Sequence, residues 1–162
     1  MFSWRSRRVR RTRSGGFEIR LPDDERRLVA NLADQLAELL AAGPDADPAL
    51  ARLFPPAYPE DRDREDEYRA LVIDELLDGR RDALALLRDT IDAETVTEEQ
   101  LVAWMGVIND VRLVLGTRLD VTEESGLDVD PADPNAPLLA AYGYLAYLLE
   151  EIVRALAEGL PD

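Results

Sequence analysis

Residues 97–118, TEEQLVAWMGVINDVRLVLGTR, set the architecture of the chain. Thr97 with Gln100 three positions later is a capping box, in which each side chain satisfies the other residue's orphan backbone amide. Beyond it Leu101, Trp104, Ile108, Val111 and Leu115 recur at steps of three and four, and Val107 and Val114 widen the stripe. That periodicity predicts a central core helix. Asn109, Asp110 and Arg112 interrupt it with three polar groups in four residues. Asp110 shares a face with Val107 and Val114, which predicts a partly buried carboxylate paired with an arginine, either Arg118 or one from another helix. Asn109, Asp110, Arg112 and Arg118 therefore form either a buried structural network or a recognition patch. Gly116 in the same helix marks a close approach of the backbone to a neighbour.

Downstream, residues 120–136 form an acidic loop that is expected to be mobile, and Pro137 opens a last helix over about 137–158. Leu138, Tyr142, Leu145, Leu149, Ile152 and Leu156 fall there in heptad spacing, and no charge occurs from Ala136 to Leu149. This segment reads either as a core helix or as a homodimer contact through Leu138, Tyr142, Leu145 and Leu149. Tyr142, Tyr144 and Tyr147 cover more than one face, so at least one ring is expected at a surface or interface.

Upstream, Leu28, Val29, Leu32, Leu36, Leu39 and Leu40 predict a helix over about 23–42, with Asp23, Asp24 and Glu25 in its first turn and Gly43 and Pro44 ending it. Five prolines make 43–59 a linker or an ordered surface loop in which only Ala49 to Phe54 could form a short helical turn. The next helix begins in the charged run 60–67, and its expected buried residues are Tyr68, Leu71, Val72, Leu76 and Leu77. Leu84, Leu87 and Ile91 continue the stripe past Gly79, which leaves one kinked helix or two consecutive ones. Before all of these, Val9 to Thr12 and Phe17 to Leu21 alternate like two strands joined across Arg13, Ser14, Gly15 and Gly16. The whole reads as a mainly α single domain, 1–162. An arginine-rich hairpin arm, 1–21, precedes an acidic body of about four to five helices, 22–162.

Composition narrows the chemistry. The 162 residues include 19 arginines, no lysine, 34 acids, no histidine and no cysteine, for a net charge of −15. Catalysis by imidazole or thiol, zinc sites of the usual kind and disulfide switching are excluded for this chain. No stretch reads as apolar and long enough to span a membrane, and no secretory signal is recognisable, so a cytoplasmic protein is expected. Carboxylates are then the only candidate metal ligands. Asp61, Asp63 and Glu65 start like a calcium loop, but the positions of its turn glycine and closing glutamate hold Asp66 and Val72. Asp128, Asp130 and Asp133 read as a solvated loop. Asp74, Glu75 and Asp78 could serve a magnesium-dependent nucleotide hydrolase, but the paired glutamate motif and its partner on a second helix are not evident. The expectation is a non-enzyme with neither metal nor cofactor.

The charge is also segregated. Arg5, Arg7, Arg8, Arg10, Arg11 and Arg13 lie within the first 16 residues without an acid, leaving 13 arginines against 34 acids in the remainder. Such an arm could contact nucleic acid, and about six neutralised phosphates would give a log-log salt slope of about −5. Recruitment through protein partners is the better expectation for so acidic a body.

Two separated segments resemble one family. The run from Asn109 through Gly116, Thr117 and Asp120 to Glu123, together with Phe54, Pro55, Pro56, Ala57, Tyr58, Pro59, Glu60 and Asp61 followed by Tyr68 and Arg69, is similar to the actinobacterial AosR family. That family was long labelled a domain of unknown function and is named after an oxidative-stress transcriptional regulator. The resemblance implies a cytoplasmic, non-enzymatic regulator of transcription, acting through protein partners such as the transcription machinery, through DNA, or both. Thiol-based redox sensing cannot operate here, because Met1 and Met105 carry the only sulfurs. The alternative is a homo-oligomeric interaction or scaffold module without DNA binding.

Overall fold

The computed structural model describes residues 7–120 and 131–158, so most of the acidic loop expected to be mobile lies outside the described residues. In chain order these form β1 (Val9–Arg11), β2 (Phe17–Ile19), α1 (Asp23–Ala41), a 3-10 turn (Pro48–Leu50), α2 (Arg62–Thr90), β3 (Thr95–Val96), α3 (Glu98–Arg118) and α4 (Ala136–Ala157). The architecture is mainly α, with four α-helices among the described residues and a small antiparallel sheet in the order β1-β2-β3.

The hairpin pairs Val9 with Ile19 and Arg11 with Phe17, which puts Val9, Phe17 and Ile19 on the covered face. Its turn is closed by Thr12 N–H donating to the Gly16 carbonyl at 2.8 Å, and Gly15 takes φ +92°, a conformation that side-chain-bearing residues rarely adopt. β3 has no counterpart in the sequence reading. Two residues between helices carry no readable period, yet Val96 pairs with Phe17 and Thr95 with Glu18 on the open edge of β2.

Arg26 joins the sheet to the helices. Its guanidinium donates to the carbonyls of Leu21, Ile91, Ala93 and Ile19, at 3.0, 2.6, 3.1 and 3.0 Å. Carbonyls at the end of β2, ahead of α1 and beyond the end of α2 are thereby gathered by one rigid fork.

α3 is the central helix that its periodicity predicts. Leu101, Trp104, Val107, Ile108, Val111, Val114 and Leu115 are all buried, and both halves of the Thr97–Gln100 capping box are formed. The Trp104 indole N–H donates to Thr90 Oγ1 at 2.7 Å, and the Thr90 hydroxyl donates to the Leu86 carbonyl, which ties α3 to the C-terminal turn of α2. α1 spans nearly its expected range, and α2 passes through Gly79 as one continuous helix.

Three expectations are corrected. Residues 47–54 do more than link: Ala49, Leu50, Leu53 and Phe54 are buried, so this proline-rich segment fills core volume between helices. In α2, Leu71 is 77% exposed and Leu76 is also exposed, and the inward row comprises Ile73, Leu77, Leu84 and Leu87. Nothing in the first turns of α2, from Arg62 to Leu76, is fully buried, because that half of the helix has too little packed against it to bury a full row. In α4 the buried row is Ala141, Tyr144, Leu145, Leu148, Glu151, Ile152 and Ala155, so the helix is a core helix; of the heptad positions read in the sequence Leu145 and Ile152 are buried, Tyr142, Leu149 and Leu156 are half-buried, and Leu138 is exposed. Over its full 22 residues α4 is long and apolar enough to cross a membrane, but Tyr144, Leu145, Leu148 and Ile152 are core side chains of this fold.

Candidate functional site

The arginine-rich start is the strongest electrostatic feature of the sequence, and its described members are largely committed to the chain's own acceptors. β1 lies against the C-terminal end of α4, where unpaired helix carbonyls and acidic side chains attract cations. Arg7 pairs with Glu158 at 3.3 Å, and Arg11 donates to the Leu156 carbonyl at 3.4 Å while stacking 4.8 Å above the Phe17 ring. Arg10 stands 3.9 Å from Glu18, whose carboxyl is held below its usual range, first by the hydrogen bond from Arg20. Arg13 is exposed at the hairpin turn, and Arg5 lies outside the described residues.

Arg8 departs most from expectation. Only 4% exposed, it directs Nε and Nη2 to the two oxygens of Glu25 on α1, and its backbone N–H donates to Glu151 on α4 at 3.3 Å. The Tyr147 hydroxyl donates to the same Glu151 oxygen at 3.0 Å, and Arg154 pairs with that carboxylate. Tyr144 is buried beside Glu25, so burial first and the carboxylate second hold its phenol protonated well above the ordinary tyrosine range. The hydrogen bonds to Glu25 hold Arg8 more firmly in its charged form. Arg8 is thus a buried anchor joining the hairpin to α1 and α4, and its reading as a phosphate contact is withdrawn. A single-sequence charge count cannot separate an exposed arginine from one whose partner is 17 residues away.

The polar cluster of α3 meets the proline-rich segment. Asp110 pairs with Arg80 of α2 at 3.2 Å, the interhelical option left open by the sequence, and burial raises its pKa while Arg80 opposes the rise. Arg80 also donates to the Leu53 carbonyl at 3.1 Å and lies 4.9 Å over the Phe54 ring. Arg118 pairs with Asp47 at 3.2 Å. Asp47 accepts from the Ala49 amide at 2.8 Å, and that hydrogen bond, then Arg118, lowers its carboxyl below the usual range. Arg112 donates to Asn109 on its own helix at 3.0 Å. Arg80 carries no signal in the sequence, because its role depends on a helix, a loop and an aromatic ring brought together from three segments.

Gly116 carries the predicted close approach. A Cβ placed there would lie 3.3 Å from Tyr142 Cε2 and 3.6 Å from Arg52 Nη1. Tyr142 is therefore a seam residue of α3 and α4. Among the four α4 residues read as dimer contacts, Leu145 is buried in the molecule's own core and is excluded, whereas Leu138 is exposed and Tyr142 and Leu149 are half-buried. No group of three carboxylates among the described residues is arranged to hold a metal, and Asp133 accepts from the Asn135 amide in a local turn. Asp128 and Asp130 lie outside the described residues.

The surroundings of Asp110 and Phe54 are also where the two segments resembling AosR meet, bridged by Arg80. Residues 6–156 match the family model described as a domain of unknown function, DUF2017. An oxidative stress regulator AosR of Mycobacterium tuberculosis is 30% identical over 163 aligned positions, covering 87% of this chain and 74% of the relative. The chain belongs to the AosR family. A protein of the same name from Mycobacterium bovis matches at the same level. A putative oxidative stress regulator AosR from Mycobacterium leprae is 32% identical over 127 positions, which span 68% of this chain but only 58% of that protein. No solved structure matches. For this AosR-family chain, the resembling segments coincide with a structural junction: Phe54 and Asp110 are held by one arginine, and the 47–54 segment is fixed against α3.

Proposed function

We propose that this AosR-family chain is a cytoplasmic regulator in the response to oxidative stress that acts through contacts with proteins of the transcription machinery. The observation that carries the reading is the family match across nearly the whole chain, with relatives named as oxidative stress regulators. The geometry supports protein contacts over an autonomous DNA-binding arm. Arg7, Arg8, Arg10 and Arg11 each engage an acceptor of this chain, and a phosphate backbone would have to compete for them. The acidic body, in a chain of net charge −15, repels nucleic acid elsewhere. With no cysteine, this chain responds to oxidants through what its partners sense, while any role in carboxylate and metal catalysis lacks a converging ligand set among the described residues.

The test is a deletion strain carrying the wild-type gene or none, with transcripts compared before and after peroxide. A peroxide-dependent set of transcripts that requires the gene supports the reading, and identical responses would overturn it. A salt series with random duplex DNA separates the routes. Weak binding that is abolished near physiological salt is expected, whereas tight binding lost on replacing Arg10 and Arg13 would place DNA contact on the hairpin.

A further inference from the structure

The first half of α2 carries an apolar row that the fold leaves uncovered. Tyr68, Val72 and Leu76 follow one another at steps of four with Leu71 beside them, so all four lie within about 140° of the helix circumference. None is buried: Leu71 is 77% exposed, Leu76 is exposed too, and Tyr68 and Val72 are half-buried. Tyr58 extends the row beyond the helix start. It is exposed, meets the Tyr68 ring edge-on at 6.1 Å and carries the Arg64 guanidinium 5.7 Å over its own ring. Single exposed apolar side chains are ordinary, but a contiguous set rimmed by polar groups marks a contact surface.

The rim is acidic. From Asp66 to Gly79 the chain holds five acids, all exposed, and one arginine. That arginine, Arg69, is turned to Asp45 and Glu65. Glu67, Asp74, Glu75 and Asp78 stand four before and three, four and seven after Leu71, so carboxylates surround it on the helix surface. Among the described residues Arg81 approaches Asp78 at 4.0 Å, and no arginine pairs with Glu67, Asp74 or Glu75.

We infer that this side of α2 docks a partner protein through a short basic segment with apolar anchors. The inference rests on the reading that the chain acts through protein contacts, and it names where one such contact is made and what chemistry recognises it. The partner's apolar anchors cover Leu71 and Leu76, while its arginines or lysines meet the carboxylates that no arginine of this chain neutralises, which also steers encounter. Charge selects this occupant over the others. A second copy, of net charge −15, would set its own acids against these, and the arginines of its hairpin at Arg7, Arg8, Arg10 and Arg11 are held by acceptors of their own chain. Nucleic acid or an anionic lipid surface would meet the carboxylates with like charge. From Tyr68 to Leu76 the row runs about 12 Å, or about two helical turns, so a short segment covers it. A few well-placed anchors suffice to carry such a contact.

The experiment is fluorescence anisotropy on the full chain with a labelled helical peptide of about 18 residues, leucines at three-four spacing on one side and arginines on the other. Two control peptides replace the arginines by glutamates or the leucines by serines. Wild type is expected to bind the first peptide with a Kd of about 1 to 100 µM at about 50 mM salt, at least about 10-fold more tightly than either control. Leu71→Ser, and separately Glu67→Gln with Asp74→Asn and Glu75→Gln, should each weaken binding at least about 10-fold with unchanged circular dichroism, because all four side chains are exposed. Val153→Ser, an exposed apolar position on α4, should bind as wild type does. No binding at about 100 µM, equal binding of the serine control, or a loss in Val153→Ser equal to that in Leu71→Ser would overturn the inference. A dimer seen by light scattering that Leu71→Ser dissolves would give the face to a second copy and overturn it too. Peroxide-dependent transcripts that require the gene while no peptide binds would leave the regulatory reading standing and remove this face from it.

Discussion

Arg8 grips Glu25 with a two-pronged hydrogen bond, Nε and Nη2 each donating to a separate carboxylate oxygen at 3.0 Å, within the interior of the protein. The pair joins β1 to α1, and the Arg8 backbone amide adds α4 through Glu151. Removing one partner strands a buried charge. Arg8→Met is therefore expected to lower unfolding stability by about 3 to 5 kcal/mol in urea, whereas Arg8→Met with Glu25→Leu should recover much of the loss, since the apolar pair avoids desolvating two charges. An Arg8→Met protein of wild-type stability would contradict the anchoring role.

Arg26 is expected to tolerate lysine poorly. An ammonium cannot reach four carbonyls arranged around a planar fork, so Arg26→Lys should cost about 2 kcal/mol or more and speed hydrogen exchange in β2 and around β3. Unchanged exchange at Ile19 and Val96 would show that the sheet is held by its side chains alone.

Two helical glycines should respond in opposite directions. A methyl group added at Gly79 would meet nothing within 4 Å, so Gly79→Ala should stabilise α2 by about 0.5 to 1 kcal/mol. Gly116 faces the Tyr142 ring, and Gly116→Leu is expected to cost about 1 to 3 kcal/mol by forcing α3 from α4. Thermal melts of both variants test the contrast directly.

Two carboxyls give opposite pH signatures. Asp110 has a raised pKa, so the folded state keeps its proton to higher pH than the unfolded chain does, and the stability it contributes falls as pH rises above the usual carboxylate value. Asp110→Asn should remove that fall. Asp47 has a lowered pKa, so its contribution is present above the usual value and is lost as pH falls through the lower folded one. Asp47→Asn should flatten the acidic side of the profile, which melting temperatures between about pH 3 and 7 would reveal.

Elements in which local chemistry and burial agree can be read from the chain alone. The Thr97–Gln100 capping box, the three-four spacing from Leu101 to Leu115, the hairpin around Gly15 and the close approach at Gly116 are all legible, because each depends on residues near one another in the chain or on one helix face. Folding alone settles which side of an amphipathic element counts. α4 is apolar nearly all round, so its pattern could not show that Tyr144 and Leu148 face the core while Leu138 and Val153 face outward. Leu71 satisfies the helical period of α2 yet is exposed, because little packs against that half of the helix. The arginines pose the same problem in charge: six basic residues look alike in a sequence, but Glu25, Glu151 and the end of α4 arrive from distant segments and draw Arg8 inside. A buried ion pair is a property of two positions that only folding brings together.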